Sequence, residues 1–334
     1  MNRCSKSMAA GLISLSICCF AVRAAVAGAA VRQTDPAASR ILIASGVRAR
    51  TDPAVSAAEV GRLQLGAIVS ELARSPNKDK IGELEDNWIR VALPDGKEGW
   101  IFAAFTRPFD PARRSEIYRR IAAERLKNKS AGFDDSADLA RFLATAITQV
   151  NDRETLADLE FGRLLALQRA AAAIPIEKAE QPPFSTWTKG REGEVSYNEI
   201  GGNWLLDSKL FWNLQKKYST LPVGEKIAWE GARNFLGGEC EGDITCFLGS
   251  LNLTDGRYLS LYPRGAHAEE AVSNLVRDLQ ETSELLKSSA GHDADDRSTG
   301  LKELAILRAT VTKTASARKA ALFKLLDQYV QYYH

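Results

Sequence analysis

The sequence predicts a multidomain α and β protein, in which a small β-barrel precedes a larger all-α helical bundle. Between residues 40 and 107, short apolar or alternating runs are separated by turn residues, which is typical of strands. Between residues 111 and 180, and again between 204 and 334, apolar residues recur with the helical period. The 334 residues are long enough for more than one hydrophobic core, so we expect separate domains.

The N-terminus has the pattern of a secretory signal peptide. Basic residues precede an uncharged apolar run at residues 8–22, and small residues at 25–27 suit a signal peptidase. That run of 15 residues is short for a membrane span, which needs about 20. We therefore predict a signal peptide at 1–27, a flexible lead-in at 28–39 and an exported protein, periplasmic or secreted. No transmembrane helix is expected after cleavage; the alternative is an uncleaved anchor.

The charge balance argues against nucleic acid as a partner. The whole chain has 44 Lys and Arg residues and 42 Asp and Glu residues, a formal net charge of +2. Residues 1–27 contain three bases and no acid, so cleavage would leave a net charge of −1. Such a chain has no overall basic field to attract nucleic acid.

Two cysteines, Cys240 and Cys246, remain after the predicted cleavage. They lie in a stretch rich in glycine and acid, and in an oxidising compartment we expect them to form a local disulfide. A redox centre usually has Cys-x-x-Cys, and a zinc site needs about four ligands. Only His267 is remotely available as a further ligand, so we predict no metal and no cofactor.

The N-terminal strands are marked by alternation and by turn residues. Gly66 divides two of them, and residues 75–80 (SPNKDK) read as a polar loop. The predicted strands lie at about 41–43, 46–50, 60–63 and 67–72, followed by a hairpin at 87–101.

Several residues in this region, taken in order, resemble the landmarks of a bacterial SH3-type (SH3b) domain. They are Val47-Arg48, Pro53, Gly66, Asn87-Trp88, Val91, Asp95-Gly96 and Gly99-Trp100-Ile101, with Gly46 where the family has an asparagine. The resemblance implies an SH3-like barrel of five to seven strands at about 40–107. It further implies a binding or targeting module of cell-wall or envelope proteins, with peptidoglycan or a peptide as its ligand, and it does not imply catalysis.

The hairpin carries the candidate binding residues Trp88, Arg90, Trp100 and Phe102. Strand alternation puts Trp88 and Arg90 on one side of the first arm. If residues 94–96 form a three-residue loop, Arg90 faces Trp100, and the three rings share one stripe opposite the aliphatic side chains. A four-residue loop would instead put Trp100 in the aliphatic layer, and the sequence leaves both registers open.

After residue 111 the pattern predicts a helical subdomain to residue 180, a polar loop at 181–203 and an α-helical domain at 204–334. Residues 184–203 are read as a long loop, and a short hairpin within it is left open. The YLSLYPRGAHAEEA stretch, residues 258–271, resembles the helix-turn-helix corner of tetratricopeptide-like envelope proteins, although no 34-residue period runs through the chain. The predicted helices lie at about 117–126, 139–150, 154–174, 204–219, 224–236, 254–261, 266–288 and 298–332.

The chain lacks the sequence signatures of the common enzyme classes, and we predict no catalytic residues. There is no G-x-S-x-G elbow, no Gly-rich phosphate loop and no H-E-x-x-H helix. His267, beside a predicted helix start, is expected to pack or hydrogen-bond locally. The competing feature is the acidic and aromatic loop at 184–204, because glycan-cleaving sites combine carboxylates with aromatic rings. Its residues are Glu192, Glu194, Glu199, Trp187, Tyr197 and Trp204.

These features predict an exported, non-catalytic binding or scaffold protein of the cell envelope. The SH3b domain would engage peptidoglycan or a peptide, and the helical domain an envelope protein partner. The alternative is a periplasmic cell-wall glycan hydrolase or an accessory subunit that uses the 184–204 loop. In a third possibility the aromatic face of the barrel is merely packed against the helices.

Overall fold

A single antiparallel sheet of seven strands curls into a half-barrel near the start of the described chain. The computed structural model describes residues 38–199, 201–234, 240–284, 286 and 294–334. The strands are β1 (Ser39–Leu42), β2 (Val47–Arg50), β3 (Glu59–Leu63), β4 (Ile68–Ile81), β5 (Leu84–Ala92), β6 (Glu98–Phe102) and β7 (Thr106–Pro108). Their order is β3-β2-β6-β5-β4-β1-β7, so β3 and β7 are the two edges and the barrel is not fully closed.

The predicted signal peptide at residues 1–27 lies outside the described residues, and so does most of the lead-in at 28–39. Ser39 already belongs to β1. The sheet therefore begins two residues before the predicted first strand.

Strand alternation gives the sheet two different faces. The inner face is aliphatic, and its side chains are buried together: Leu42, Val47, Ala49, Leu63, Val69, Ile89, Val91 and Ile101. Burying each larger aliphatic side chain stabilises the fold by about 1.5–3 kcal/mol. Arg48 and Arg90, whose neighbours in sequence point inward, are exposed on the opposite side, which we call the outer face.

Strand β4 is much longer than the sequence predicts. Residues 75–80 are not a loop, because β4 continues through them and pairs with β5 as far as Ile81 opposite Leu84. A register shift between Arg74 and Lys78 marks an irregularity in this arm. The polar composition suits an exposed ribbon rather than a loop, since Lys80 lies opposite Glu85 and Lys78 forms an ion pair with Glu85 at 3.7 Å across the two strands.

The turn between β5 and β6 is the three-residue loop at 94–96. Leu93 N–H donates to the carbonyl of Lys97 at 2.8 Å and closes the loop. Arg90 is therefore opposite Trp100, and Trp88 is opposite Phe102. Gly96 has φ +82°, a left-handed conformation that glycine adopts without strain.

Helices make up most of the remaining described chain. Aspartates at 152, 207 and 243 cap three of them by accepting hydrogen bonds from backbone N–H groups of the first turn. The helices are α1 (Arg114–Lys127), α2 (Phe133–Ile147), α3 (Arg153–Ala172), α4 (Phe184–Lys189), α5 (Ser208–Lys217), α6 (Val223–Arg233), α7 (Ile244–Leu253), α8 (Asp255–Leu261), α9 (Ala268–Thr282), α10 (Ala294–Lys313) and α11 (Lys319–Tyr332).

Several helix predictions need correction. The polar stretch at 181–203 is not only a loop, because it contains α4. The short hairpin that the sequence left open is present as β8 (Val195–Asn198) paired with β9 (Asn203–Leu206), so the predicted helix at 204–219 begins only at Ser208. The predicted helix at 298–332 is two helices, because residues 314–318 turn the chain between α10 and α11. Helix α7 was not predicted, since the apolar residues of its short sequence show no clear helical period.

The corner at residues 258–271 has the predicted form. Helix α8 ends at Leu261 and α9 begins at Ala268, with Glu269 and Glu270 in its first turn. Negative charges there are favourable beside the positive end of the helix. The likeness to tetratricopeptide proteins remains a prediction.

The sheet and the first helices share a hydrophobic core, and residues 37–334 form one compact unit. Ile41 and Leu65 pack in the same buried cluster as Phe142 and Leu143 of α2. Leu65 N–H also donates to the buried carboxylate of Asp138 at 3.2 Å. The attachment of the sheet to the helices therefore uses β1 and the turn before β4.

The sulfur atoms of Cys240 and Cys246 lie at bonding distance, 2.10 Å, as expected for the predicted disulfide. Their Cα atoms are 5.5 Å apart, which is common for this bond. Among the helices that the structure describes, none is both long and apolar enough to cross a membrane.

Candidate functional site

The four predicted binding residues lie on the outer face of β5 and β6. The register pairs Trp88 with Phe102 and Arg90 with Trp100, as the three-residue loop requires. Arg50 of β2 pairs with Trp100 from the other side. The outer face is therefore a stripe of aromatic rings flanked by arginines.

These four side chains differ in exposure. Trp88 is 2% exposed and Phe102 is 1% exposed, whereas Trp100 is half-buried. Arg90 is exposed and its guanidinium lies 3.3 Å from the carboxylate of Glu98. Trp88 and Phe102 are thus fixed parts of the fold, and a ligand could reach them only through a cavity.

The long β4 arm explains why Trp88 is buried on an outward-facing side of the sheet. Its indole N–H donates to Asp79 of β4 at 3.0 Å, and its backbone N–H donates to Ser75 at 3.0 Å. Its ring packs edge-on against Phe102, which in turn contacts Phe105. Strand β4 therefore folds over one end of the stripe.

A cavity of about 330 Å³ opens beside these rings. We call it the aromatic cavity, and its size is at the lower end of the range for small-molecule sites. Trp88, Phe102 and Phe105 supply aromatic walls, and Val55, 51% exposed, lies at the edge. The remaining lining residues are Ala44, Ser45, Gly46, Val47, Arg48, Arg50 and Ile81.

The charged residues that line the aromatic cavity are two arginines, Arg48 and Arg50. Arg48 pairs with Glu59 at 3.4 Å, and Arg50 donates to the carbonyl of Ala57 at 2.6 Å. Behind Trp88, the indole hydrogen bond holds the pKa of Asp79 below its usual range. An aromatic wall beside arginines suits a small apolar or planar group that has a polar or anionic neighbour.

None of the helices that the structure describes lines this cavity. Every residue that lines it belongs to the segment 44–105 of the sheet domain. The sheet contacts the helices through Ile41 and Leu65, and at the edge of the cavity Arg125 of α1 donates to the Ser45 hydroxyl at 3.2 Å. In the described part of the chain the aromatic rings themselves are therefore not packed against the helical bundle, which goes against the third possibility.

The acidic and aromatic loop does not come together as one cluster. Trp187 of α4 packs against Phe133 of α2 at 5.5 Å between ring centroids. Tyr197 and Trp204 face each other across the β8–β9 hairpin at 5.6 Å. Glu194 forms an ion pair with Arg163 at 3.0 Å, whereas Glu192 and Glu199 are exposed.

His267 makes the local contacts that its position predicts. Its ring stacks on Trp229, 4.3 Å away and nearly parallel, and its Nδ1 lies 3.2 Å from Glu270. Within the described residues, no group of three or more His, Cys, Asp or Glu side chains is arranged to hold a metal ion.

Sequence reasoning did not identify several residues of the aromatic cavity. The sequence could have indicated Arg48 and Arg50, because strand alternation puts them on the outer face together with Trp100. Nothing in the sequence indicated Ile81, since it follows residues 75–80, which were predicted to form a loop. Phe105 lies in a short 3-10 turn after β6 and reaches the cavity only through the tertiary fold.

Comparison with known proteins agrees with the geometry of the sheet. Residues 45–107 match the family model described as Bacterial SH3 domain, so this part of the chain is a bacterial SH3 domain. No curated protein matches the chain. No solved structure matches it either. The family match ends before α1 and does not include the helices.

Proposed function

We propose that this protein is an exported, non-catalytic binding or scaffold protein of the cell envelope, whose SH3 domain engages peptidoglycan or a peptide. Bacterial SH3 domains are typically extracellular or associated with the cell wall, and the match over residues 45–107 supports that class of ligand. The pattern of residues 1–27 supports export. The disulfide geometry of Cys240 and Cys246 fits an oxidising compartment.

The observation that carries the proposal is the aromatic cavity. Its walls combine Trp88, Phe102 and Phe105 with the two arginines Arg48 and Arg50, and none of the described helices lines it. Rigid rings held by edge-on packing give a ligand contact area with little loss of side-chain freedom. The buried rings of Trp88 and Phe102 would form walls of the binding site, and the ligand would enter at the exposed edge beside Val55.

Retention on purified peptidoglycan sacculi tests the proposal. Val55→Trp would fill the cavity from its exposed edge without altering the buried rings. We expect the wild-type chain to co-sediment with sacculi and Val55→Trp to lose most of that retention. Leu72→Trp is the matched control, because Leu72 is 40% exposed on β4 and does not line the aromatic cavity.

Two results would contradict the proposal. One is failure of the wild-type chain to co-sediment at low salt. The other is equal retention of Val55→Trp and the wild-type chain. Thermal unfolding of each variant shows whether the sheet is intact, so loss of binding can be separated from loss of structure.

The helical region is proposed to bind a protein partner. A groove of about 810 Å³ runs between α1, α3 and α6, and Leu126, Phe161 and Leu165 lie in it. Charged residues such as Arg119 and Asp158 also line it. An apolar floor with a polar rim is the usual composition of a protein interface.

The non-catalytic part of the proposal is tested on the acidic loop. A glycan hydrolase that used this loop would lose wall-polymer turnover when the carboxylates become amides. The variants to compare with the wild-type chain are Glu192→Gln, Glu194→Gln and Glu199→Gln. We expect that the wild-type chain does not degrade the wall polymer and that the three variants are retained on sacculi as well as the wild-type chain. Degradation by the wild-type chain that these changes abolish would favour the enzyme.

A further inference from the structure

A second cavity adjoins the aromatic cavity, between the SH3 domain and the helices. It has a volume of about 710 Å³ and shares Ser45, Gly46 and Arg48 with the aromatic cavity. Its far wall includes Arg141 of α2 and Arg191, which follows α4. We call it the arginine cleft. Because the two cavities share part of their walls, one extended ligand could occupy both.

The carboxylates of the cleft are largely occupied within the protein. Asp138 accepts the N–H of Leu65 at 3.2 Å and also pairs with Arg141. Asp135 pairs with Arg125 at 2.9 Å. The third acid, at position 134, is exposed in the first turn of α2, where the helix end stabilises its charge.

Arg191 is the cation of this cleft that lacks a carboxylate partner. In the described chain, no carboxylate lies within ion-pair distance of its guanidinium, and Glu194, three residues further on, pairs with Arg163 instead. Burial lowers the pKa of Arg191, which reflects the cost of holding that charge partly away from water, and the charge of Glu194 nearby offsets this only in part. An anion in the cleft would offset that cost.

Arg191 is also held in place before any ligand binds. Its guanidinium lies over the ring of Trp187 at 4.4 Å and donates to the Trp187 carbonyl at 3.2 Å. Trp187 is itself fixed edge-on by Phe133. The Nε of Arg191 and the Nε1 of Trp187 are buried, and neither has an acceptor among the described residues. Buried donors without an acceptor are unfavourable, so this corner favours an oxygen-bearing group.

We propose that the arginine cleft binds a free carboxylate of a short peptide whose neighbouring uncharged part occupies the aromatic cavity. The guanidinium fork of arginine matches a carboxylate with two parallel hydrogen bonds. Gly46 leaves room where the cavities meet, since a Cβ there would find only Arg62, 3.8 Å away. The proposal rests on the proposed function and adds to it the chemical group that is recognised.

Calorimetric titration of the full chain with two synthetic stem pentapeptides tests the proposal. One ends in the D-Ala-D-Ala carboxylate and the other, otherwise identical, ends in an amide. A charge-assisted hydrogen bond predicts that the wild-type chain binds the carboxylate form about tenfold more tightly or better. Arg191→Gln should bind both forms equally. Arg277→Gln is the matched control, because Arg277 is exposed on α9 and pairs with its neighbour Asp278.

The outcomes separate this proposal from the proposed function. If the wild-type chain binds sacculi but does not prefer the carboxylate peptide, the cleft proposal is overturned and the binding function stands. The cleft proposal is likewise overturned if Arg191→Gln keeps the preference. If the wild-type chain binds neither sacculi nor peptide, both proposals fail. Should Arg191→Gln not fold, Arg48→Gln at the exposed shared wall must reduce the preference instead.

Discussion

Gly66 of the SH3 domain packs directly against Phe142 of helix α2. It has φ +81°, and a Cβ built on it would lie 2.1 Å from Cδ2 of Phe142 in α2. Gly66→Ala therefore has two costs. The left-handed backbone costs about 1–2 kcal/mol for a residue with a Cβ. The overlap with the buried ring adds about 1–3 kcal/mol of overpacking.

We therefore expect Gly66→Ala to lower the free energy of unfolding by about 2–5 kcal/mol. Gly96 is the matched control, because its φ is +82° and nothing lies within 4 Å of the added Cβ. Gly96→Ala should show the backbone cost alone, about 1–2 kcal/mol. Urea unfolding followed by circular dichroism measures both variants against the wild-type chain.

A double variant checks whether the difference arises at this contact. Phe142→Ala removes the ring that Gly66→Ala would touch, at its own cost of about 3–5 kcal/mol. With the ring gone, the added methyl group has room, so the combined loss should be smaller than the sum of the two single losses. Equal destabilisation by Gly66→Ala and Gly96→Ala, or full additivity in the double variant, would refute the role of this contact.

The indole hydrogen bond of Trp88 lowers the pKa of Asp79 in the folded protein. The bond therefore stabilises the fold at pH values above the pKa of an unfolded aspartate, about 3.9. This stabilisation is lost as the pH falls through the lower pKa that Asp79 has in the folded protein. Trp88→Phe should reduce this pH dependence and leave the part that comes from the Lys80 N–H donated to Asp79. Urea unfolding at about pH 7 and about pH 3 should therefore show a smaller loss of stability in acid for the variant than for the wild-type chain, and an equal loss would contradict the assignment. Cys240→Ser, which breaks the small loop closed by Cys246, should lower the free energy of unfolding by about 2 kcal/mol. A thiol reductant should lower the wild-type value equally and leave the variant unchanged. If residues 1–27 are a cleaved signal, mass spectrometry of the exported chain should find an N-terminus directly after Ala27, and a chain that retains Met1 would argue for an anchor.

The parts of the fold that the sequence predicts well depend on local pattern. Strand alternation correctly separates Trp88 and Arg90 from Ile89 and Val91, because neighbouring residues in a strand must point to opposite faces. The helix corner at 258–271 is equally local, since its turn residues and first-turn acids act over a few positions. The errors lie where pattern is ambiguous, as in the polar arm at 75–80.

The candidate site was predictable only in part. The stripe of Trp88, Trp100 and Phe102 follows once the loop length is known, but the sequence allowed two lengths. The observed register pairs Arg90 with Trp100 and so selects one of them. The cavity itself depends on Phe105 and Ile81, whose approach to the stripe comes from the turn after β6 and from the length of β4.

The sequence by itself determined the class of the N-terminal domain and the residues of its outer face. These follow from short-range periodicity and from landmark residues in order. Only the tertiary structure decided that Trp88 and Phe102 are buried walls, while Arg191, far along the chain, lies in a cleft beside the same domain. Burial and proximity depend on contacts between segments distant in sequence, and such contacts leave no local pattern in the residues that make them.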